Sequence, residues 1–437
     1  MRKNRQMKKT VHSRRKVIKA SAAATTLATI GAPYIARAQA SNNETIKVGI
    51  IGCGGRGTGA VAQALKADPN VKLWAAGDAF KAPIGRCLEN ISPLGERSQV
   101  PAERQFVGID CYKEVIASGI DVVILTSAPG FRPLHIKAAV DAGLHIFVEK
   151  PMAVDPTGLR SVVESVKKAK EKNLSIQNGF CWRYHPAVKE AYGKITSGEF
   201  GRVQAVYGTY LSSPVRPLAN DAKKPEGMGW VEWQVANWVN FDWLSGGALL
   251  EQAIHTTDKV AWAMNDAIPI AAVGTGGKVG RTDPGNVYDH HNVSYEYANN
   301  VFAHVAQRQI ADSFGEVVDR VTCENATVFA PGECYARDHQ GKMIWRYQPK
   351  PDEEQNMYQV EHNELFAAIR AGKRIDGGEH MINSTAHALL GAYAAQTGQR
   401  FTWKELFESD LDLAPDNLQF GDDFKPQPLP IPGQFKV

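Results

Sequence analysis

Ile46-Lys47-Val48-Gly49-Ile50-Ile51-Gly52-Cys53-Gly54-Gly55-Arg56-Gly57 is the stretch whose reading decides the fold. An apolar, β-rich run leads straight into G-x-G-x-x-G, and an alanine-rich helical stretch, Ala60 to Ala67, follows. That context, strand before and helix after, makes the pattern a dinucleotide-binding fingerprint. The first glycine makes the turn, the second lets backbone approach a pyrophosphate, and the third allows close helix–strand packing. Free N–H groups at the helix N-terminus then meet the anion. Gly52, Gly54, Gly55, Arg56 and Gly57 are therefore expected at the cofactor.

Working outward, a second strand, Val71 to Ala76, ends at Gly77-Asp78, about twenty residues past the fingerprint. An acid there accepts hydrogen bonds from an adenosine ribose diol and repels a 2′-phosphate, so Asp78 favours NAD. Lys81 and Arg86 nearby leave NADP possible, and a plain helix-capping role for Asp78 is the alternative. A short helix, Asp110 to Ile116, is followed by the apolar strand Ile120 to Leu125, which ends in Thr126-Ser127-Ala128-Pro129-Gly130. A helix, Pro133 to Ala142, stops at Gly143, and His145-Ile146-Phe147-Val148-Glu149-Lys150-Pro151 gives the next strand and its end. Such alternation specifies a doubly wound parallel sheet. Its strand ends would set Gly52, Asp78, Ser127 and Lys150 along one rim, where ligands gather. A surface Glu149–Lys150 pair before a loop is the bland alternative.

Composition is that of an ordinary globular protein, and 437 residues suffice for two or three domains. Residues 1 to 40 carry ten Lys or Arg and no acid; without them 40 basic face 46 acidic residues, a net of −6. A mildly acidic body gives no electrostatic case for nucleic acid or anionic lipid. Ser13-Arg14-Arg15-Lys16-Val17-Ile18-Lys19 resembles the twin-arginine export signal. The weakly apolar run Ala20 to Ala36 and the small-x-small pattern Ala38-Gln39-Ala40 place cleavage before Ser41. That run is shorter than the ~20 residues a bilayer needs, so no stable membrane insertion is expected. The expected location is periplasmic or secreted, with the twin-arginine machinery as a partner. The six cysteines are scattered, with no Cys-x-x-Cys; whether Cys323 and Cys334 pair is left open.

The expected layout is a signal peptide at 1–40, a Rossmann domain at 41–155, a substrate and oligomerisation domain at 156–415, and a Pro-rich arm at 416–437. The second domain opens with an amphipathic helix, Pro156 to Lys172, and a strand, Leu174 to Asn178. Alternating stretches, Asn292 to Tyr297, Val301 to Gln307, Val317 to Val328 and Lys342 to Tyr347, suggest a large, mainly antiparallel sheet. Glu361 to Ala371 and Ser384 to Thr397 read as helices. The fold class is α/β: a Rossmann doubly wound sheet followed by an α+β domain with an open antiparallel sheet.

Ser245-Gly246-Gly247-Ala248-Leu249-Leu250-Glu251-Gln252-Ala253-Ile254-His255 reads as two glycines and a helix. Glu251 and His255, four apart, would share one face. A carboxylate there would orient the imidazole and favour its protonated form, which suits a general base. A solvated Glu–His pair is the alternative. No metal is expected, because His290 and His291 are consecutive and point to opposite faces of a strand. Trp230, Trp233, Trp238 and Trp243, with Tyr210, Arg216, Asn237, Asn240 and Asp242, could form a carbohydrate-stacking surface or packed core.

The fingerprint, Asp78, Asp121-Val122-Val123-Ile124-Leu125-Thr126, Ala142-Gly143-Leu144-His145 and Glu149-Lys150-Pro151 together resemble the glucose–fructose oxidoreductase / inositol dehydrogenase / rhizopine-catabolism (Gfo/Idh/MocA) family. The resemblance extends over nearly all of the chain beyond the signal. It implies that Lys150 lies by the nicotinamide and the substrate hydroxyl, and that Glu149 belongs to the cofactor site. It also implies that Arg183 and Tyr184 border the substrate cleft, although core packing explains that stretch as well. The C-terminal sheet would join a homodimer or homotetramer. Two departures stand out: Arg132 where relatives carry histidine, and Glu251 where they carry aspartate.

The expected function is an exported NAD(P)-dependent oxidoreductase acting on a sugar or polyol. Hydride would pass between nicotinamide and a carbinol carbon, with His255 moving the hydroxyl proton, Lys150 bonding the alkoxide and Glu251 orienting His255. Export removes the protein from free dinucleotide, so a tightly bound NAD is expected. One alternative is a redox-neutral glycosidase or lyase working through transient oxidation of a sugar hydroxyl. A non-catalytic dinucleotide sensor is the other.

Overall fold

The computed structural model describes residues 44–413 and 417–437. The expected export signal and the domain boundary at 415 lie outside the described residues. Among those residues, no helix is long and apolar enough to cross a membrane.

Six strands form the first sheet: β1 (Ile46–Ile51), β2 (Val71–Asp78), β3 (Gln105–Val107), β4 (Val122–Leu125), β5 (His145–Val148) and β6 (Ile176–Asn178). Their order is β3-β2-β1-β4-β5-β6, and every pair is parallel. Strands covered on both faces read as unbroken apolar runs, and all four residues of β4 are buried. Helices α1 (Gly55–Ala67), α2 (Lys81–Ile91), α3 (Cys111–Ala117), α4 (Arg132–Asp141) and α5 (Pro156–Glu171) make the connections. α5 starts where Pro156 follows Asp155, whose side chain accepts from the Gly158 N–H at 2.6 Å. The sheet runs past the boundary expected at Asp155, because β6 pairs with β5.

The second sheet has nine strands: β7 (Val203–Ser212), β8 (Ala271–Gly277), β9 (His290–Glu296), β10 (Phe302–Gln309), β11 (Glu316–Cys323), β12 (Thr327–Ala330), β13 (Tyr335–Arg337), β14 (Met343–Arg346) and β15 (Phe401–Thr402). The order is β14-β13-β12-β11-β7-β10-β9-β8-β15; β7 and β10 are parallel and the remaining pairs antiparallel. The stretch Val317 to Val328 is two strands, because the chain turns at Glu324 to Ala326, closed by Cys323 N–H to Ala326 O at 2.8 Å.

Two C-terminal helices tie the layers together. Helix Met357–Arg370 starts four residues before its expected position, at Asn356, whose side chain accepts from the Tyr358 N–H. It places Leu365, Phe366 and Ile369 in the apolar cluster of Ile46, Val48 and Ile50. Burial of each such side chain stabilises by roughly 1.5–3 kcal/mol. Helix Gly378–Thr397 lies over the second sheet, where Tyr295 donates to His387 O at 3.0 Å.

The Pro-rich tail is neither helix nor strand, and it is not loose. Tyr288 donates to Pro430 O at 2.8 Å, Asn286 to Gln427 O at 3.1 Å and Gln234 to Phe424 O at 2.6 Å. Phe420 stacks on Phe80, with ring centroids 5.2 Å apart, at the end of β2. All six cysteines are free and buried, Cys323 and Cys334 included.

Candidate functional site

A cleft of about 800 Å³ opens along the carboxyl ends of β1, β2 and β4. That is a size suited to a cofactor. Gly52, Gly54, Gly55, Arg56, Gly57, Asp78 and Ser127 line it, as the sequence predicts. Gly52 has φ +99°, and a Cβ there would sit 2.4 Å from Ser127 N. A Cβ on Gly57 would meet Gly52 O at 2.0 Å, so α1 packs on β1 only because that position is bare. At Gly54 and Gly55 a Cβ would touch nothing within 4 Å; there the missing side chains leave the cleft floor open. This cradle fits a dinucleotide pyrophosphate at the N-terminus of α1.

Asp78 accepts from Cys53 N–H at 2.7 Å and from Phe80 N–H at 3.0 Å. Burial pushes its carboxyl up from the ordinary value, against those two donors. The carboxylate is thus locked at the adenosine end of the cleft, where a ribose diol would find it. Ser127 Oγ lies 3.0 Å from His135 Nδ1, and burial lowers that imidazole to about 3, leaving it neutral.

Arg56 and Glu149 are turned to each other. Arg56 Nε stands 2.8 Å from Glu149 Oε1, its guanidinium covers the Tyr358 ring at 4.7 Å, and Nη2 bonds Gln63. Glu149 is 4 % exposed, and Gly179 leaves it room, since a Cβ there would meet the carboxylate at 2.7 Å. Glu149 is a buried partner of the glycine loop's arginine, and neither it nor Lys150 is among the residues that line this cleft.

Lys150 instead reaches toward the second sheet. Its ammonium donates to the Glu251 carbonyl and stands 3.2 Å from Glu251 Oε1. Gly246 (φ +70°) and Gly247 (φ +82°) make the turn that presents this segment. The continuous helix expected through Glu251 and His255 is corrected. Helices Ala248–Glu251 and Ile254–Ala263 are separate, with a break at Gln252, φ −114° and ψ −58°. The i,i+4 geometry is therefore lost. The Glu251 carboxylate takes Lys150 on one oxygen and the Gln252 amide on the other, and Tyr210 Oη donates to Gln252 Oε1 at 3.0 Å. His255 Nδ1 has no hydrogen-bond partner among the described residues.

The protonation expected for His255 is corrected too. Burial lowers its pKa well below the ordinary value, and the charges of Lys150 and Lys259 lower it further. The imidazole is therefore neutral, and the two nearby ammonium groups oppose its protonation. Lys150, Glu251 and His255 are thus brought together, but the lysine, not the histidine, holds the carboxylate.

Arg183 is taken up by two carboxylates, whereas Tyr184 is half-buried and lines a shallow pocket with Pro186, Lys189 and Glu190. Arg183 bonds Asp258 at 2.8 Å and Asp266 at 2.9 Å, and its guanidinium lies 5.2 Å from the Trp262 ring. Burial pushes the Tyr184 phenol up, and the nearby Glu361 and Glu364 carboxylates add to that. Arg183 thus has an internal structural role beside the border position expected for it, and Tyr184 stays at a pocket edge.

Trp233 and Trp243 are buried in a cluster that includes Phe80, Ile109, Phe131, Phe420 and Phe424, so these two rings are packing. Trp238 and Arg216, however, line the cleft together with the glycine loop. Sequence reasoning missed the Tyr210–Gln252 link, although both residues lie beside the motifs it used. It also gave no role to Arg132, which is buried, donating to Pro151 O at 2.7 Å and to Ser127 O at 2.9 Å.

Comparison with known proteins agrees with this geometry. Residues 46–178 match the family model GFO_IDH_MocA, described as an oxidoreductase family with an NAD-binding Rossmann fold. Inositol 2-dehydrogenase 4 of Saccharopolyspora erythraea is 25 % identical over 372 residues, 84 % of this chain and 98 % of that protein. Inositol 2-dehydrogenase 2 of the same organism is 24 % identical over 222 residues, 51 % of this chain; the match spans 60 % of that relative's length. The structure of the WlbA dehydrogenase from Bordetella pertussis, in complex with NADH and UDP-GlcNAcA, superposes with a TM-score of 0.62. It is 16 % identical, with 82 % of this chain and 99 % of that one covered, a likeness of fold.

Proposed function

We propose, from the match of residues 46–178 to the Gfo/Idh/MocA oxidoreductase family model, that this chain is a member of that family and oxidises or reduces a CH–OH carbon of a sugar or polyol. The enzyme is an NAD(P)-dependent dehydrogenase acting on CH–OH groups. The observation that carries this reading is the pairing of Lys150, at the end of β5, with Glu251, one short turn ahead of the helix that carries His255. Nicotinamide dinucleotide, when bound, supplies the hydride exchange with the carbinol carbon. The chain's own residues handle the proton and the charge. His255, held neutral, accepts the hydroxyl proton in the oxidation direction and returns it in reduction. Lys150 donates to the substrate oxygen as it becomes an alkoxide, and Glu251 fixes the lysine there. Asp78 selects a ribose diol, which favours NAD.

Export and a tightly held cofactor complete the proposal, on the strength of Arg14-Arg15 and Ala38-Gln39-Ala40 at the N-terminus. Inositols are the first substrates to try, given the relatives' names. A homodimer or homotetramer through the second sheet is part of the same reading. Purified exported protein should begin near Ser41 and carry one dinucleotide per chain in native mass spectrometry. It should then reduce NAD+ with some member of a polyol panel. Free sugar released from glycosides with no net nicotinamide change would replace this reading with the redox-neutral one.

A further inference from the structure

Arg132 is placed against elementary electrostatics. It is the first residue of α4, and a cation at a helix N-terminus meets the positive end of the macrodipole. It is also 4 % exposed, where a charge needs compensation. No carboxylate pairs with it among the described residues. Its guanidinium is held by two carbonyl oxygens, Pro151 O at 2.7 Å and Ser127 O at 2.9 Å. Burial pushes it down to about 10, and the Glu149 and Glu251 carboxylates pull it back up. Of those acids, Glu149 directly precedes Lys150 in sequence and Glu251 receives its ammonium in space. Ser127 lines the dinucleotide cleft, and Pro151 directly follows Lys150.

We infer that Arg132 is a positioning residue that clamps the Lys150–Pro151 segment to the β4 loop, and so sets Lys150 relative to the cofactor cleft. The inference rests on the proposed role of Lys150. A neutral residue of similar size would fill the space more cheaply. What it would not supply is two charge-assisted bonds, one to each of the loops that must keep register. Through Ser127 the clamp reaches the neutral His135, and through Pro151 it reaches the reactive amine.

The test needs no turnover, so it can fail while the proposed function stands, and the reverse. The mature chain and its Arg132→Gln and Arg132→Lys variants are treated with formaldehyde and cyanoborohydride, and methylation of Lys150 is followed by peptide mass spectrometry. NAD+ affinity is titrated in parallel. Loss of the clamp should free Lys150 from Glu251 and speed its methylation about tenfold in Arg132→Gln, the scale of a lost bond to a charged group. Arg132→Lys, which keeps the charge and one bond, should fall between it and the parent. NAD+ affinity should stay within about threefold in both. Unchanged methylation of Lys150 in the variants overturns the inference, and so does a loss of NAD+ affinity matching the gain in labelling, which marks general loosening. If Arg132→Gln does not fold, Arg132→Lys decides alone by the same criteria.

Discussion

Gly54→Ala separates stability from binding at the glycine loop. Gly54 is the residue before α1, at φ −69° and ψ −173°, a conformation open to any residue. A Cβ there meets nothing within 4 Å. Removing glycine from the unfolded chain favours folding by about 0.4–1 kcal/mol. Alanine is the poorer N-cap by a similar amount, so the two effects offset. The melting temperature should therefore stay within about 3 °C of the parent. Binding should behave otherwise, because the methyl enters the space where backbone must approach a pyrophosphate. NAD+ affinity should fall at least about tenfold, or 1.4 kcal/mol. Gly57→Ala supplies the contrast. Its Cβ would lie 2.0 Å from Gly52 O, a backbone atom that cannot step aside, so α1 must shift at a cost of about 1–3 kcal/mol or more. Calorimetric titration of nucleotide-free protein, with a melting curve for each variant, reads both quantities. Gly54→Ala protein that binds NAD+ at full strength would refute the placement of the pyrophosphate on this floor.

Lys150→Met should lower polyol oxidation by about 10²–10⁴-fold while NAD+ affinity moves less than about threefold, measured by steady-state kinetics and titration. Because burial and Lys150 hold His255 well below 6.5, the base stays neutral as pH falls toward that value. kcat/KM for oxidation should therefore be level from about pH 8 to 6.5; an acid limb at or above 6.5 that vanishes in His255→Asn would contradict this. Phe420→Ala removes the partner stacked on Phe80, an aromatic pair worth about 0.5–1.5 kcal/mol beyond its burial. NADH release in stopped flow should speed several-fold, and an unchanged rate would detach the tail from the cleft.

The first sheet was legible because its signals are local. Continuous apolar runs such as Val122–Leu125 and Ile146–Val148 declare buried parallel strands, and the glycines of the loop declare their turn. The break at Gln252 was not, because Ala253, Ile254 and His255 all suit an unbroken helix and only Lys150, from another layer, competes for Glu251. Arg183 looked available because its acids, Asp258 and Asp266, come from the far side of the His255 helix. β7 escaped notice because Gly208 interrupts its pattern; a Cβ there would stand 2.3 Å from the Thr256 methyl, a packing demand invisible in sequence. Arg132 showed only as a departure, since its partners are backbone carbonyls that any residue carries.

The residues that line the cleft run from Ile51 to Trp238, and residues 417 to 437 back it from outside, where Phe420 lies on Phe80 and Gln419 reaches Asp110. During synthesis every residue that lines the cleft therefore emerges before the segment that backs Phe80. A purification handle fused after Val437 would start beside the cluster of Tyr393 and Phe401, away from Phe420 and the cleft it backs.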